Sequence, residues 1–162
     1  MRHYEADANG HVNNAAYLHY LEQAAIEHSA AVGYPLGRYR EMGTLFIVHR
    51  HEIDYLRPAS PGDVLEVVTW AEEIRGPRAV RAYEVYRHGQ ATSDVSVTAV
   101  PADGLLPATQ VPASEPLVRA RTQWVYVDLE SGRPLRVPAE LIGAFVGTGT
   151  TRPTDGPEAP PR

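Results

Sequence analysis

The sequence predicts an α+β domain in which one long helix lies on a mainly antiparallel sheet, and three observations carry that reading. One stretch, from Asn13 to Val32, repeats its apolar residues with helical spacing. At least four later stretches alternate with a period of two and are divided by Pro- and Gly-containing turns. Helix and strands are segregated along the chain rather than interleaved, which is the pattern of a helix packed on one face of a sheet.

Taken in order, residues 2 to 6 read as a very short strand that enters the loop beginning at Asp7. Tyr17, Leu21, Ala24, His28 and Ala31 then form one helical stripe with Leu18, Ala25 and Val32 beside it, while Glu22, Gln23 and Glu27 fall outside it. Asn13 or Asn14 suits the N-cap and Gly33 before Tyr34-Pro35 the stop, giving a helix of about five turns. Pro35 to Gly43 reads as a connector. Strands follow from Leu45 to Tyr55, from Val64 to Ile74, from Ala79 to Arg87 and from Leu117 to Leu129, with turns at Arg57 to Asp63, at Gly76-Pro77 and at Ser131 to Pro134. Between about residues 90 and 116 the composition suggests an inserted loop, although Asp94 to Val100 also fits an edge strand. Leu135 to Phe145 closes a single domain over residues 1 to 145. Residues 146 to 162, rich in Gly, Thr, Pro, Asp and Glu, are expected to be a disordered tail.

The totals exclude several classes of function. A chain of 162 residues with 43% hydrophobic and 22% charged residues suits one soluble domain. No apolar run approaches the roughly 20 residues a membrane helix needs, and the start lacks the apolar region of a secretory signal, so no membrane insertion and a cytoplasmic location are expected. A formal net charge of -5 argues against nucleic acid as partner. Without cysteine, covalent chemistry falls to oxygen and nitrogen groups.

The chemistry concentrates in Asp7-Ala8-Asn9-Gly10-His11-Val12-Asn13-Asn14, immediately before the helix. First-turn backbone N–H groups have no intrahelical partner and carry partial positive charge, so they favour an electron-rich oxygen. A carboxylate facing such a terminus supplies both halves of an acyl-transfer site. The same residues also suit plain structural work: Asp7 beside the macrodipole, Asn9 and His11 shaping a turn, and Gly10 permitting an unusual backbone angle. Tyr17 has a core reading and Glu22 a solvated one.

These residues resemble the hotdog-fold acyl-CoA thioesterases of the 4-hydroxybenzoyl-CoA thioesterase type. The resemblance rests on Asp7 to Asn14 with Tyr17 and Glu22, on Ile53-Asp54-Tyr55-Leu56-Arg57-Pro58 with Gly62-Asp63, and on Ala120 to Asp128 running into Gly132-Arg133-Pro134. It implies a hotdog fold, a long helix wrapped by a curved antiparallel sheet, with sites shared between subunits of a homodimer or homotetramer. It further implies hydrolysis of an acyl-CoA, with Asp7 attacking the thioester or activating water and the Asn14 backbone N–H polarising the carbonyl. Asn9 and His11 would support that chemistry. Gly10, Tyr17, Leu21 and Glu22 would flank the substrate, with the acyl chain along the helix near Tyr17 and Leu21.

Two neighbouring families match less well. Asp7, Asn9 and His11 also resemble the triplet of plant acyl-carrier-protein thioesterases, but the further acidic residue of that family would fall near Pro58. Hotdog enoyl-CoA hydratases carry Asp-x-Asn-Pro-x-His, whereas Gly10 and His11 here lack the proline and place the histidine one position early. A hydratase or dehydratase and a non-catalytic acyl-CoA-binding module stay as rival readings. Coenzyme A phosphates need a cationic patch, for which Arg78 and Arg81, with Arg119 and Arg121, are candidates. His49 and His51 share a strand face under strict alternation, but two histidines without a third ligand do not make a metal site; neither metal nor cofactor is expected.

Overall fold

The computed structural model describes residues 7–88, 115–146 and the backbone of 96–99. The expected strand at 2–6, most of the 90–116 insertion and nearly all of the tail lie outside these residues. The elements in chain order are α1 (Asn14–Ala31), α2 (Leu36–Glu41), β1 (Thr44–Tyr55), β2 (Val64–Arg75), β3 (Arg78–His88), β4 (Ser96–Ala99), β5 (Val118–Asp128) and α3 (Ala139–Val146). The sheet order is β1-β5-β3-β2-β4. The first three pairings are antiparallel, while β4 adds to the β2 edge in parallel. Ser96–Ala99 therefore belongs to the sheet, and the edge-strand reading holds there.

The helix forms where its pattern places it. Asn13 is the N-cap, its side chain accepting from the Ala15 N–H at 2.9 Å. Ala16, Tyr17, Leu21, Ala24, Ala25 and His28 are buried along one side, three and four residues apart. Leu21 and Ala24 are fully covered and meet Leu65, Val67, Tyr83, Val85, Val118 and Ala120 of the sheet. Removing a leucine of this kind from water stabilises by about 2 kcal/mol. The small alanines let the helix axis approach the sheet closely.

Two helices were not legible in the pattern. The connector after Gly33 contains α2, six residues that owe their shape to Tyr39, which is buried with Tyr34 and Tyr126. A segment this short gains little from helix propensity, so packing decides it. The closing segment contains α3, which buries Leu141 and Phe145 one turn apart against the same cluster.

The sheet register orients the molecule. Tyr55, Val118 and Val85 share one end; Trp124 and Ala79 lie toward the other, beside the Gly76-Pro77 turn. The ladder between β1 and β5 slips between Val48 and Arg50. His49 is thus the extra residue of a bulge, and the strict alternation that would put it on one face with His51 is broken there. Among the described residues no group of three or more His, Asp or Glu is placed to hold a metal ion.

Candidate active site

Asp7 closes its loop on itself. Its amide donates to the His11 carbonyl at 2.8 Å, and its Oδ1 accepts from the amides of Asn9 at 2.8 Å and His11 at 2.9 Å. The Gly10 amide completes the turn by donating to the Asp7 carbonyl at 3.1 Å, with Gly10 at φ +76°. That angle is why a glycine stands here. The His11 amide does most to hold the Asp7 carboxyl below its ordinary value of 3.8; desolvation opposes it, and the Asn9 amide, the His11 ring and the Asn9 side chain add to the lowering. Asp7 is therefore ionised at neutral pH.

The loop is anchored from both sides. Val12 is buried, and its amide donates to the Ala59 carbonyl at 2.8 Å, tying the loop to the turn between β1 and β2. Asn13 satisfies two of the first helical donors, Ala15 through its side chain and Ala16 through its carbonyl at 2.9 Å. The Asn14 N–H is bonded by no described residue, while its carbonyl accepts the Tyr55 hydroxyl at 2.9 Å. Tyr55 and Ala59 position this site, and sequence reasoning gave neither a role. The signal was present in Tyr55, an aromatic that ends a strand just before the Pro58 turn.

Asp7, Asn9, Gly10 and His11 are thus one hydrogen-bonded loop, followed directly by Asn14. The other candidates separate from them. Tyr17 lies in the core, its ring edge-on to Tyr20 at 5.9 Å and Tyr55 at 5.6 Å, and burial pushes its phenol up to about 12. Leu21 is wholly buried beneath it. Neither residue is among those lining the cavity beside the helix, which opens at Ala25, Ile26 and Ser29. Glu22 is exposed on a neighbouring side of the helix, where its charge raises the pKa of His51 while burial lowers it more. His51 Nδ1 in turn lies 2.8 Å from the Thr122 hydroxyl.

The cationic patch is also revised. Arg78 is exposed at the Gly76-Pro77 turn; seven residues of strand at about 3.3 Å each set it roughly 23 Å from Val85, at the far end of the sheet from Tyr55. Arg81 is only 8% exposed and cannot meet a phosphate in solvent: its Nη1 lies 2.6 Å from His28 Nδ1 and 3.3 Å from the Thr69 hydroxyl. Arg119 and Arg121 pair with Glu84 at 3.2 Å and Glu72 at 2.5 Å.

One long helix packed on a mainly antiparallel sheet is the arrangement of a hotdog fold. The chain belongs to the thioesterase-like superfamily, whose family profile matches residues 1–145. It is similar to the long-chain acyl-CoA thioesterase FadM of Escherichia coli K12, 29% identical over 105 residues that cover 62% of this chain and 76% of that protein. The fold is shared with a hypothetical protein of Aquifex aeolicus, at a TM-score of 0.68 and 22% identity over 90% of this chain and 94% of that one. It is also shared with Slr0204 of Synechocystis, a 1,4-dihydroxy-2-naphthoyl-CoA thioesterase, at a TM-score of 0.64 and 16% identity over 91% and 92%.

Proposed function

We propose that this protein hydrolyses an acyl-CoA thioester to the free acid and coenzyme A, with residues 1–145 as its catalytic domain and the cytoplasm as its place of action. The observation that carries the mechanism is the Asp7 loop: a carboxylate held ionised by backbone donors, directly before a helix whose Asn14 N–H no described residue bonds. Asp7 attacks the thioester carbonyl, forming a mixed anhydride and releasing the thiolate, and water then cleaves the anhydride. In the general-base variant Asp7 takes a proton from water, the resulting hydroxide adds to the carbonyl, and the proton passes to the departing thiolate. On either route negative charge grows on the carbonyl oxygen, where the Asn14 N–H and the helix dipole stabilise it. Loss of such a donor typically costs on the order of 3 kcal/mol.

Asn9 and His11 act beside the carboxylate, Asn9 by bonding it and His11 by orienting the thioester or water. A homodimer or homotetramer completes the site. Support comes from β1, an edge strand on which Ile47, Val48 and Tyr55 are 47%, 42% and 43% exposed, apolar surface that a partner subunit would cover. The similarity to FadM supports an acyl-CoA substrate. Release of coenzyme A from a panel of acyl-CoA esters, compared between the wild type, Asp7→Ala and Asp7→Asn, tests the reading. Unchanged turnover in Asp7→Ala would sink the mechanism.

A further inference from the structure

The C-terminal half of α1 covers a cavity of about 90 Å³ at the end of the sheet away from Asp7. Its wall is largely apolar, including Ala25, Phe46, Trp124 and Phe145, yet the Arg81 guanidinium is part of it. Every hydrogen bond of that guanidinium to a described residue is made by Nη1. Nε and Nη2 bond no described residue, although Arg81 is only 8% exposed.

Among the described residues nothing anionic meets it. His28 places Nδ1 2.6 Å from Arg81 Nη1, and Thr69 offers a hydroxyl at 3.3 Å. The nearby phenols stay protonated, Tyr39 because burial pushes it up to about 12 and Tyr83 because burial raises it too. Phe145 presents its ring 5.4 Å from the guanidinium carbon. No described carboxylate pairs with Arg81. An arginine keeps its charge, and a buried charge is costly unless an opposite charge meets it. The Trp124 indole stands in the same wall and is turned toward the buried Tyr83 hydroxyl. An apolar chamber whose guanidinium keeps unused donors calls for an apolar ligand that ends in an anion.

The position suits the end of a long acyl group. At about 1.5 Å per helical residue, Ala25 lies roughly 16 Å along α1 from Asn14, beyond the reach of a short acyl group attached to a thioester there. Leu18, 36% exposed, and half-buried Ile26 lie two turns apart on the helix stripe that leads from Asn14 to the cavity.

We propose that this cavity is a specificity subsite in which Arg81 binds the carboxylate at the far end of an ω-carboxyacyl group. The inference rests on the hydrolysis reading for its substrate, but the subsite itself can be tested without turnover. Myristoyl-CoA and its ω-carboxy counterpart are compared as substrates of the wild type and Arg81→Met, and thermal stability is measured with decanoate and with decanol. The wild type is expected to favour the ω-carboxy ester in kcat/KM. Arg81→Met is expected to lower the ratio of the two kcat/KM values by about tenfold or more, the discrimination of a charge-assisted hydrogen bond. Decanoate is expected to raise the wild-type Tm more than decanol. A wild type that shows no preference for the ω-carboxy ester, or an unchanged ratio in Arg81→Met, overturns the subsite. If neither ester is cleaved, the hydrolysis reading fails and the Tm comparison alone decides: a larger rise with decanoate supports the subsite, and equal shifts reject it. The wild-type measurements also decide should Arg81→Met fail to fold.

Discussion

Asp7 and His11 hold each other through two reciprocal bonds: the Asp7 amide donates to the His11 carbonyl at 2.8 Å, and the His11 amide donates to Asp7 Oδ1 at 2.9 Å. The reacting carboxylate of the proposed mechanism is therefore also the clasp of its own loop. Removing it changes both chemistry and shape, and the two effects separate by choice of substitution.

Asp7→Asn retains a side-chain oxygen for the amides of Asn9 and His11 but no charge. Coenzyme A release is expected to fall at least about a hundredfold in this variant, the contribution of a positioned base or nucleophile. Its circular dichroism and Tm should stay close to wild type. Activity near the wild-type level would assign Asp7 to loop shape alone.

The pH profile follows from the lowered Asp7 pKa. In the proposed mechanism the carboxylate reacts ionised, so kcat/KM should decline only as pH falls through a value below 3.8. The stability linkage has the same sign: a carboxyl with a depressed folded pKa contributes stability that is present above its unfolded pKa and lost as pH falls through the folded one. A rate measurement from acid to neutral pH, on protein shown to remain folded, checks this. An acid limb centred near neutrality would assign the essential group to another residue.

Asn13→Ala removes the cap from the Ala15 N–H. A stability loss of about 1 kcal/mol is expected, together with a fall in kcat larger than any rise in KM, because the helix start that faces the oxyanion in the proposed mechanism loses its anchor. Asn13→Asp keeps a capping oxygen and should retain most of the stability. Chemical denaturation and steady-state kinetics on both variants read the two effects separately.

Gly10→Ala forces a side chain into φ +76°, although a Cβ there would meet no atom within 4 Å. The cost is conformational rather than steric crowding, about 1 kcal/mol. Gly10→Asn should cost less, since asparagine tolerates this region. Equal Tm values for the two variants would remove backbone angle as the reason for the glycine.

The helix was legible because its signals are local: an apolar repeat, an asparagine cap and a glycine stop occupy consecutive positions. The strands β1, β2, β3 and β5 were legible for the same reason, within a residue or two at each end. The Asp7 loop was also readable, since its bonds join residues no more than four apart. The helices α2 and α3 were not, because Tyr39, Leu141 and Phe145 become helical by packing on residues distant in sequence. Tyr55 gained a role only once β1 brought its hydroxyl to Asn14 across 41 positions.

By itself, then, the sequence determined an α+β chain with a long helix, its period-two strands and a loop that sets a carboxylate before a helix start, all consequences of short-range geometry. Tertiary structure decided where the side chains outside that loop finish. Alternation assigns Arg78 and Arg81 to opposite faces of β3 but does not say which face is covered or at which end of the sheet either residue lies. Strand register placed Arg78 at the end opposite Tyr55, and the packing of α1 turned Arg81 from an expected surface cation into a buried one beside a cavity. A bulge at His49 likewise undid the face it would have shared with His51. Register and packing arise from pairing between distant segments, so no local pattern along the chain contains them.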